Sequence, residues 1–105
     1  MAHLLLLSGS KVYMSRLQLE ILSYLTDGKF SPLTAQDLVK LIRSRVNGPK
    51  FWFLEPRIYP ALRELEYADI LSSYYADASA PRGWRPRRYY RLTVRGADVA
   101  RALGV

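Results

Sequence analysis

Cysteine is absent from the 105 residues, and histidine occurs once, as His3. The first absence excludes disulfides and thiolate metal sites, and it suits a reducing compartment. The second leaves the body of the chain without an imidazole for proton transfer or metal ligation. No phosphate-binding glycine loop and no zinc-ligand spacing occurs. Glu55, Glu64, Glu66 and Asp69 lie close together in sequence, but a solvated helix face and cap explain them better than acid–base chemistry. The expectation is a protein that is not an enzyme, with no catalytic residue, cofactor or metal.

Long hydrophobic runs are also missing. Leu4 to Leu7 is the longest purely aliphatic stretch, far short of the roughly 20 residues that a membrane-spanning helix needs. It makes a poor signal peptide, with no basic residue ahead of it. A cytoplasmic location is expected. There is no internal repeat, low-complexity tract or interdomain linker, and the length fits one domain. Half of the residues are apolar, so the composition is that of a folded chain with a modest core.

The most informative absence is local. Between Ala78 and Ala97 there is no acid, but there are six arginines, at 82, 85, 87, 88, 91 and 95. They carry most of a formal net charge of +7. One sign of charge concentrated in one element attracts a polyanion. A basic hairpin kept for solubility is the plainer alternative, but scattered charges would serve that purpose equally well.

Residues 1–14 read as an N-terminal arm or a candidate dimer contact. Their leucines could extend a helix, pair as a strand or pack on a second subunit, and Ser8, Gly9 and Ser10 break any helix. Residues 15–105 read as the folded domain. Ser15 caps a helix to about Thr26, with Leu17, Ile21, Leu22 and Leu25 as its buried stripe and Asp27-Gly28 as its stop. Phe30 to Leu33 make a short connection with room for one bridge of strand. Thr34 starts the second helix in a capping-box pattern, with Asp37 in place of the usual glutamate or glutamine. Leu38, Leu41 and Ile42 face the core, and Asn47-Gly48-Pro49 ends the helix. The next stretch, Lys50 to Leu54, is a small strand or an apolar plug.

A third helix follows. Ile58, Ala61, Leu62 and Leu65 have the i, i+3, i+4, i+7 spacing of one buried face. The opposite face offers Arg57, Pro60, Arg63, Glu64 and Tyr67, with Tyr59 on the flank. Pro60 opposes a helix here unless the helix begins near Pro56 or Arg57, or bends. Ile70 to Ala76 and Arg87 to Leu92 read as two strands flanking a turn-rich tip, Asp77 to Pro86. Thr93 caps a last helix through Leu103, with Val94, Ala97, Val99, Ala100 and Leu103 as apolar members and Gly96 in its first turn at some cost. The expected fold is α+β and mainly helical. It is a winged helix-turn-helix with a three-helix core, a two-stranded β-wing and a short C-terminal helix.

Three segments resemble the PadR family of bacterial transcriptional regulators. These are ILSYL at Ile21 to Leu25, IYPALRELE with ADIL from Ile58 to Leu71, and PRRYYRLT from Pro86 to Thr93 followed by Gly96. The resemblance covers about Arg16 to Leu103. It implies a dimeric, sequence-specific repressor whose third helix enters the major groove and whose wing lies near adjacent phosphates. Tyr59 and Pro60 match the signature's tyrosine and proline, Arg63 its basic position, and Arg87, Arg88 and Tyr89 the wing's basic-aromatic run.

Three features depart from the family pattern. Pro56 and Arg57 stand where the family has glycine and a small hydroxyl residue, and an arginine there can read guanine O6 and N7. Leu33 and Thr34 replace a glycine-tyrosine pair. The sequence ends at Val105, where many relatives extend the last helix to dimerise. Dimerisation is then expected to be weaker, or to use the short last helix together with the leucine-rich N-terminal segment.

The first reading is a regulator of double-stranded DNA. Arg82, Arg85, Arg87, Arg88 and Lys40 would neutralise phosphates, while Arg57, Tyr59, Pro60 and Arg63 meet the groove. The alternative is a winged-helix protein-interaction module using Tyr74, Tyr75, Trp84, Tyr89 and Tyr90, with nucleic-acid binding incidental. A homodimer is the expected assembly. A small-molecule inducer is compatible with the resemblance, but no residue argues for one.

Overall fold

The computed structural model describes residues 2–7, 10–27, 32–45, 54–76 and 86–105, with side chains from Met14 onward. The element order is β1 (Ala2–Leu7), β2 (Ser10–Ser15), α1 (Arg16–Leu25), β3 (Leu33–Thr34), α2 (Ala35–Arg45), α3 (Leu54–Tyr67), β4 (Leu71–Ala76), β5 (Arg87–Leu92) and α4 (Val94–Leu103). The expected winged-helix order is present, with three helices ahead of a hairpin and a fourth behind it.

The N-terminal stretch takes the strand alternative. β1 and β2 form an antiparallel hairpin in which Leu4 pairs with Tyr13 and Leu5 with Val12. It leads into α1 through Ser15, whose hydroxyl accepts from the Gln18 amide while the Gln18 side chain accepts from the Ser15 amide. This reciprocal cap satisfies two amides that a helix start leaves orphaned. α1 ends in a right-handed Thr26 whose N–H returns to Leu22. Gly28, expected to stop this helix, lies outside the described residues.

The same reciprocal cap opens α2. Thr34 Oγ1 accepts from the Asp37 amide, and Asp37 Oδ2 accepts from the Thr34 amide, both at 3.1 Å. Aspartate therefore performs the role usually given to glutamate. Thr34 also belongs to β3, which pairs with β5 through Leu33–Tyr90 and Thr34–Tyr89. The wing sheet thus has three strands in the order β3-β5-β4, all antiparallel. The anticipated bridge before α2 became a short third strand on β5.

Four details correct the sequence reading. α3 begins at Leu54, so Leu54 is the buried first residue of a helix. Pro60 is therefore its seventh residue, beyond the first turn. It is tolerated because it stands on the exposed side, where the carbonyl deprived of a partner also belongs to an exposed residue, Pro56. β4 begins at Leu71, since Ile70 is a fully buried corner residue bonded back to Leu65. Val94 is 84% exposed and does not belong to the apolar face of α4.

The core lies where the stripes meet. Ile21, Leu22 and Leu25 from α1, Leu38 and Ile42 from α2, and Ile58, Leu62 and Leu65 from α3 are buried together. Met14, Ile70, Leu71, Tyr90 and Val99 close the cluster from the hairpins and α4. Two polar residues are buried with it among the described residues, Thr34 at the cap of α2 and Gln18. Gln18 is 4% exposed, and its Nε2 donates to the Ala61 carbonyl and to Glu64. It joins α1 to the middle of α3.

Candidate nucleic-acid interface

Burying Leu54, Ile58, Ala61, Leu62 and Leu65 leaves the other side of α3 in solvent. Glu55, Pro56, Arg57, Tyr59, Pro60, Arg63, Glu64 and Tyr67 are all exposed. The four recognition-helix residues expected from the sequence therefore share one outward surface. Three contacts hold this helix at a fixed angle to its neighbours. Arg43 pairs with Glu55 at 3.2 Å, Gln36 donates to the Tyr59 hydroxyl at 3.5 Å, and Gln18 bonds to Ala61 and Glu64. Arg43 and Arg45 are paired, the latter with Glu20 at 3.5 Å. Lys40 is exposed on the same helix, α2.

The wing has two chemically different faces because side chains alternate along each strand. Register places Ser73, Tyr75, Arg88 and Tyr90 on the face toward α3. It places Ser72, Tyr74, Arg87, Tyr89 and Arg91 on the face away from it. On that outer face the Tyr74 and Tyr89 rings stack at 5.8 Å, and the Arg91 guanidinium sits 5.5 Å from the Tyr74 ring centre. The five aromatics grouped by sequence are thus split. Tyr74 and Tyr89 lie outward, Tyr75 and Tyr90 inward, and Trp84 lies outside the described residues.

On the inner face, Arg88 closes a ring of hydrogen bonds with α3. Its Nη2 donates to both carboxylate oxygens of Glu66, at 2.9 and 3.0 Å. Its Nε donates to Ser73 Oγ at 2.8 Å, and that hydroxyl donates to Glu66 Oε2 at 3.0 Å. The rings of Tyr75 and Tyr90 flank the guanidinium at 5.7 and 5.5 Å. Burial works against the Arg88 charge, but Tyr90, Glu66 and Tyr75 outweigh it and hold the group above the usual arginine range. Burial likewise pushes the Tyr90 phenol up, with Arg88 opposing in part. Tyr90 therefore keeps its proton at neutral pH.

An open cleft of about 430 Å³ lies between α3 and β5, lined by Tyr59, Arg63, Glu66, Tyr67, Arg88 and Tyr90. It brings together Tyr59 and Arg63 of the expected recognition set with Arg88 of the expected wing set. Arg57 and Pro60 are exposed further along α3, and Arg87 is exposed at the start of β5. Tyr89 faces the opposite side of the sheet, while Arg82 and Arg85 lie outside the described residues. The sequence reading placed Glu66 on a solvated helix face and gave Ser73 no role, so the partnership of both with Arg88 was missed. Glu66 is seven residues from Ser73 and 22 from Arg88, and only the hairpin register makes them neighbours. Among the described residues no group of three or more His, Cys, Asp or Glu could hold a metal, and no helix is long and apolar enough to cross a membrane.

Comparison with known proteins places this geometry in context. The model of the transcriptional regulator PadR-like family matches residues 21–102. A PadR family transcription regulator from Clostridium difficile R20291 is 27% identical, over 86% of this chain and 84% of its own, with a TM-score of 0.68. A PadR family transcriptional regulator from Eggerthella lenta is 26% identical, over 84% of this chain and 68% of its own, at a TM-score of 0.61. Bacillus subtilis PadR, solved in complex with operator DNA, shares the fold at a TM-score of 0.67 and 18% identity. The match covers 87% of this chain and 48% of that one. No curated protein sequence matches significantly. With its matched segment running from α1 to α4, the chain belongs to the PadR-like family of transcriptional regulators.

Proposed function

We propose that the protein is a sequence-specific regulator of double-stranded DNA that acts as a repressor, with α3 in the major groove and the wing on adjacent phosphates. The observation that carries this reading is the continuity of the exposed face of α3 with the wing across one open cleft that holds Arg63 and Arg88. A helix presenting arginines beside a basic hairpin offers one element to the groove and one to the backbone of duplex DNA. Arg57, Tyr59, Pro60 and Arg63 meet base edges. Arg82, Arg85, Arg87, Arg88 and Lys40 neutralise phosphates. The protein works as a cytoplasmic homodimer on half-sites about one helical turn apart.

Selection from a random-sequence duplex pool, followed by fluorescence anisotropy across a salt series, tests the reading. A selected sequence should outcompete random DNA strongly at physiological salt. With about five phosphates neutralised, log affinity should fall against log salt with a slope near −4 to −5. Arg57→Ala should cost about 1–3 kcal/mol on the selected sequence and little on random DNA. Equal binding to every sequence, vanishing with salt, would overturn sequence-specific regulation. A protein-interaction module is the second reading, and the stacked Tyr74–Tyr89 pair on the face turned away from α3 favours it.

A further inference from the structure

Arg88 is an unusual phosphate ligand because the free protein already neutralises it. Nη2 is committed to Glu66 and Nε to Ser73, and the rings of Tyr75 and Tyr90 flank the guanidinium at 5.7 and 5.5 Å. Among the described residues Nη1 has no hydrogen-bond partner. One end of a locked guanidinium is therefore left to a ligand, in a residue that lines the α3–β5 cleft. The lock itself comes from α3, since Glu66 stands two turns after Tyr59 on the same helix. The wing arginine is thereby indexed to the reading helix.

We infer that Glu66 is a positioning residue that sets sequence selectivity, holding Arg88 so that its Nη1 donates to a DNA phosphate only when α3 is seated in its preferred groove. The inference rests on the DNA-binding reading above. A mobile, unpaired arginine finds a phosphate on any duplex and adds affinity to all of them. A neutralised and immobilised one adds little to loose encounters. It donates only where docking brings a phosphate to a fixed point, so phosphate contact becomes a reporter of register. Ser73 serves the same end through Nε and carries no charge.

The test compares the selected duplex with random duplex for wild type, Glu66→Gln and Ser73→Ala, with thermal melts confirming folding. Glu66→Gln should tighten random binding and steepen its salt slope by about one unit as Arg88 is released. The preference for the selected duplex should shrink by roughly tenfold, the worth of one hydrogen bond from a charged donor. Ser73→Ala should shrink the preference while leaving the slope unchanged. In an Arg88→Ala background, Glu66→Gln should no longer alter the preference.

A preference unchanged in both single variants would overturn the inference, because holding Arg88 in place would then have no part in sequence choice. A change that persists without Arg88 would overturn it as well. A wild type with no preference would overturn the DNA reading itself and this inference with it.

Discussion

A β-carbon at residue 96 would fall on the Ile70 carbonyl oxygen, far inside contact distance, and press on the Leu92 side chain. That oxygen already accepts from the Thr93 amide at 3.0 Å. Gly96→Ala should gain about 1 kcal/mol of helix propensity and still lose about 1–3 kcal/mol net to overpacking. A thermal melt that falls by several degrees is the expected readout. From the sequence, Gly96 reads as a cost to the last helix, because propensity is local and the oxygen it must avoid belongs to a residue 26 positions earlier. Tyr90 supplies a second residue-level expectation. Folding raises its phenol above the ordinary tyrosine value near 10. The native state then holds this proton more tightly than the unfolded chain. The resulting stability is fully present below about pH 10 and is lost as pH rises through the raised value. Chemical denaturation at a series of alkaline pH values should show it, and Tyr90→Phe should flatten the decline.

At the scale of elements, the caps and stripes were legible because each depends on residues three or four apart. Thr34 and Asp37 satisfy each other's amides without outside help, so their pattern could be read as it stands. The Gln18 joint could not. Ser15 accounts for its oxygen, but its nitrogen reaches a carbonyl 43 residues away. Replacing Gln18 with Leu leaves the Ser15 amide without its reciprocal acceptor and detaches α1 from the centre of α3. Destabilisation of about 1–3 kcal/mol is expected, against about 1 kcal/mol for Thr34→Ala. Urea titration of both variants separates the two, and a smaller loss for Gln18→Leu would deny the joint its role. The N-terminal hairpin was ambiguous for a different reason. Leu4 to Leu7 has neither the period of a strand nor that of a helix, and only pairing with Ser10–Ser15 decides between them.

At the scale of the whole molecule, charge is arranged so that some helix arginines are paired with acids while others remain free and outward. Arg43, Arg45 and Arg101 have acidic partners in Glu55, Glu20 and Asp98, whereas Arg57, Arg63 and Arg87 stand exposed without an acid paired to them among the described residues. The salt slope of about −4 to −5 expected for DNA binding should therefore change little when Arg43 is replaced by Gln. It should flatten when Arg87 is replaced. Net charge and its position were plain from the sequence, but which arginines were free was not, because ion pairing depends on how α1, α2 and α3 pack. One further feature concerns the two corners flanking the wing. Asp69 takes a left-handed conformation, and the Asp69 and Ile70 carbonyls receive the Thr93 hydroxyl and amide. The turn leaving α3 is thus riveted to the turn entering α4. Insertions or deletions between Ala76 and Arg87 leave that rivet intact, while one residue more or fewer beside Asp69 or Thr93 breaks it. Length changes in this chain should therefore be tolerated between Ala76 and Arg87, because α3 and α4 keep the same spacing whatever the length of the hairpin between them.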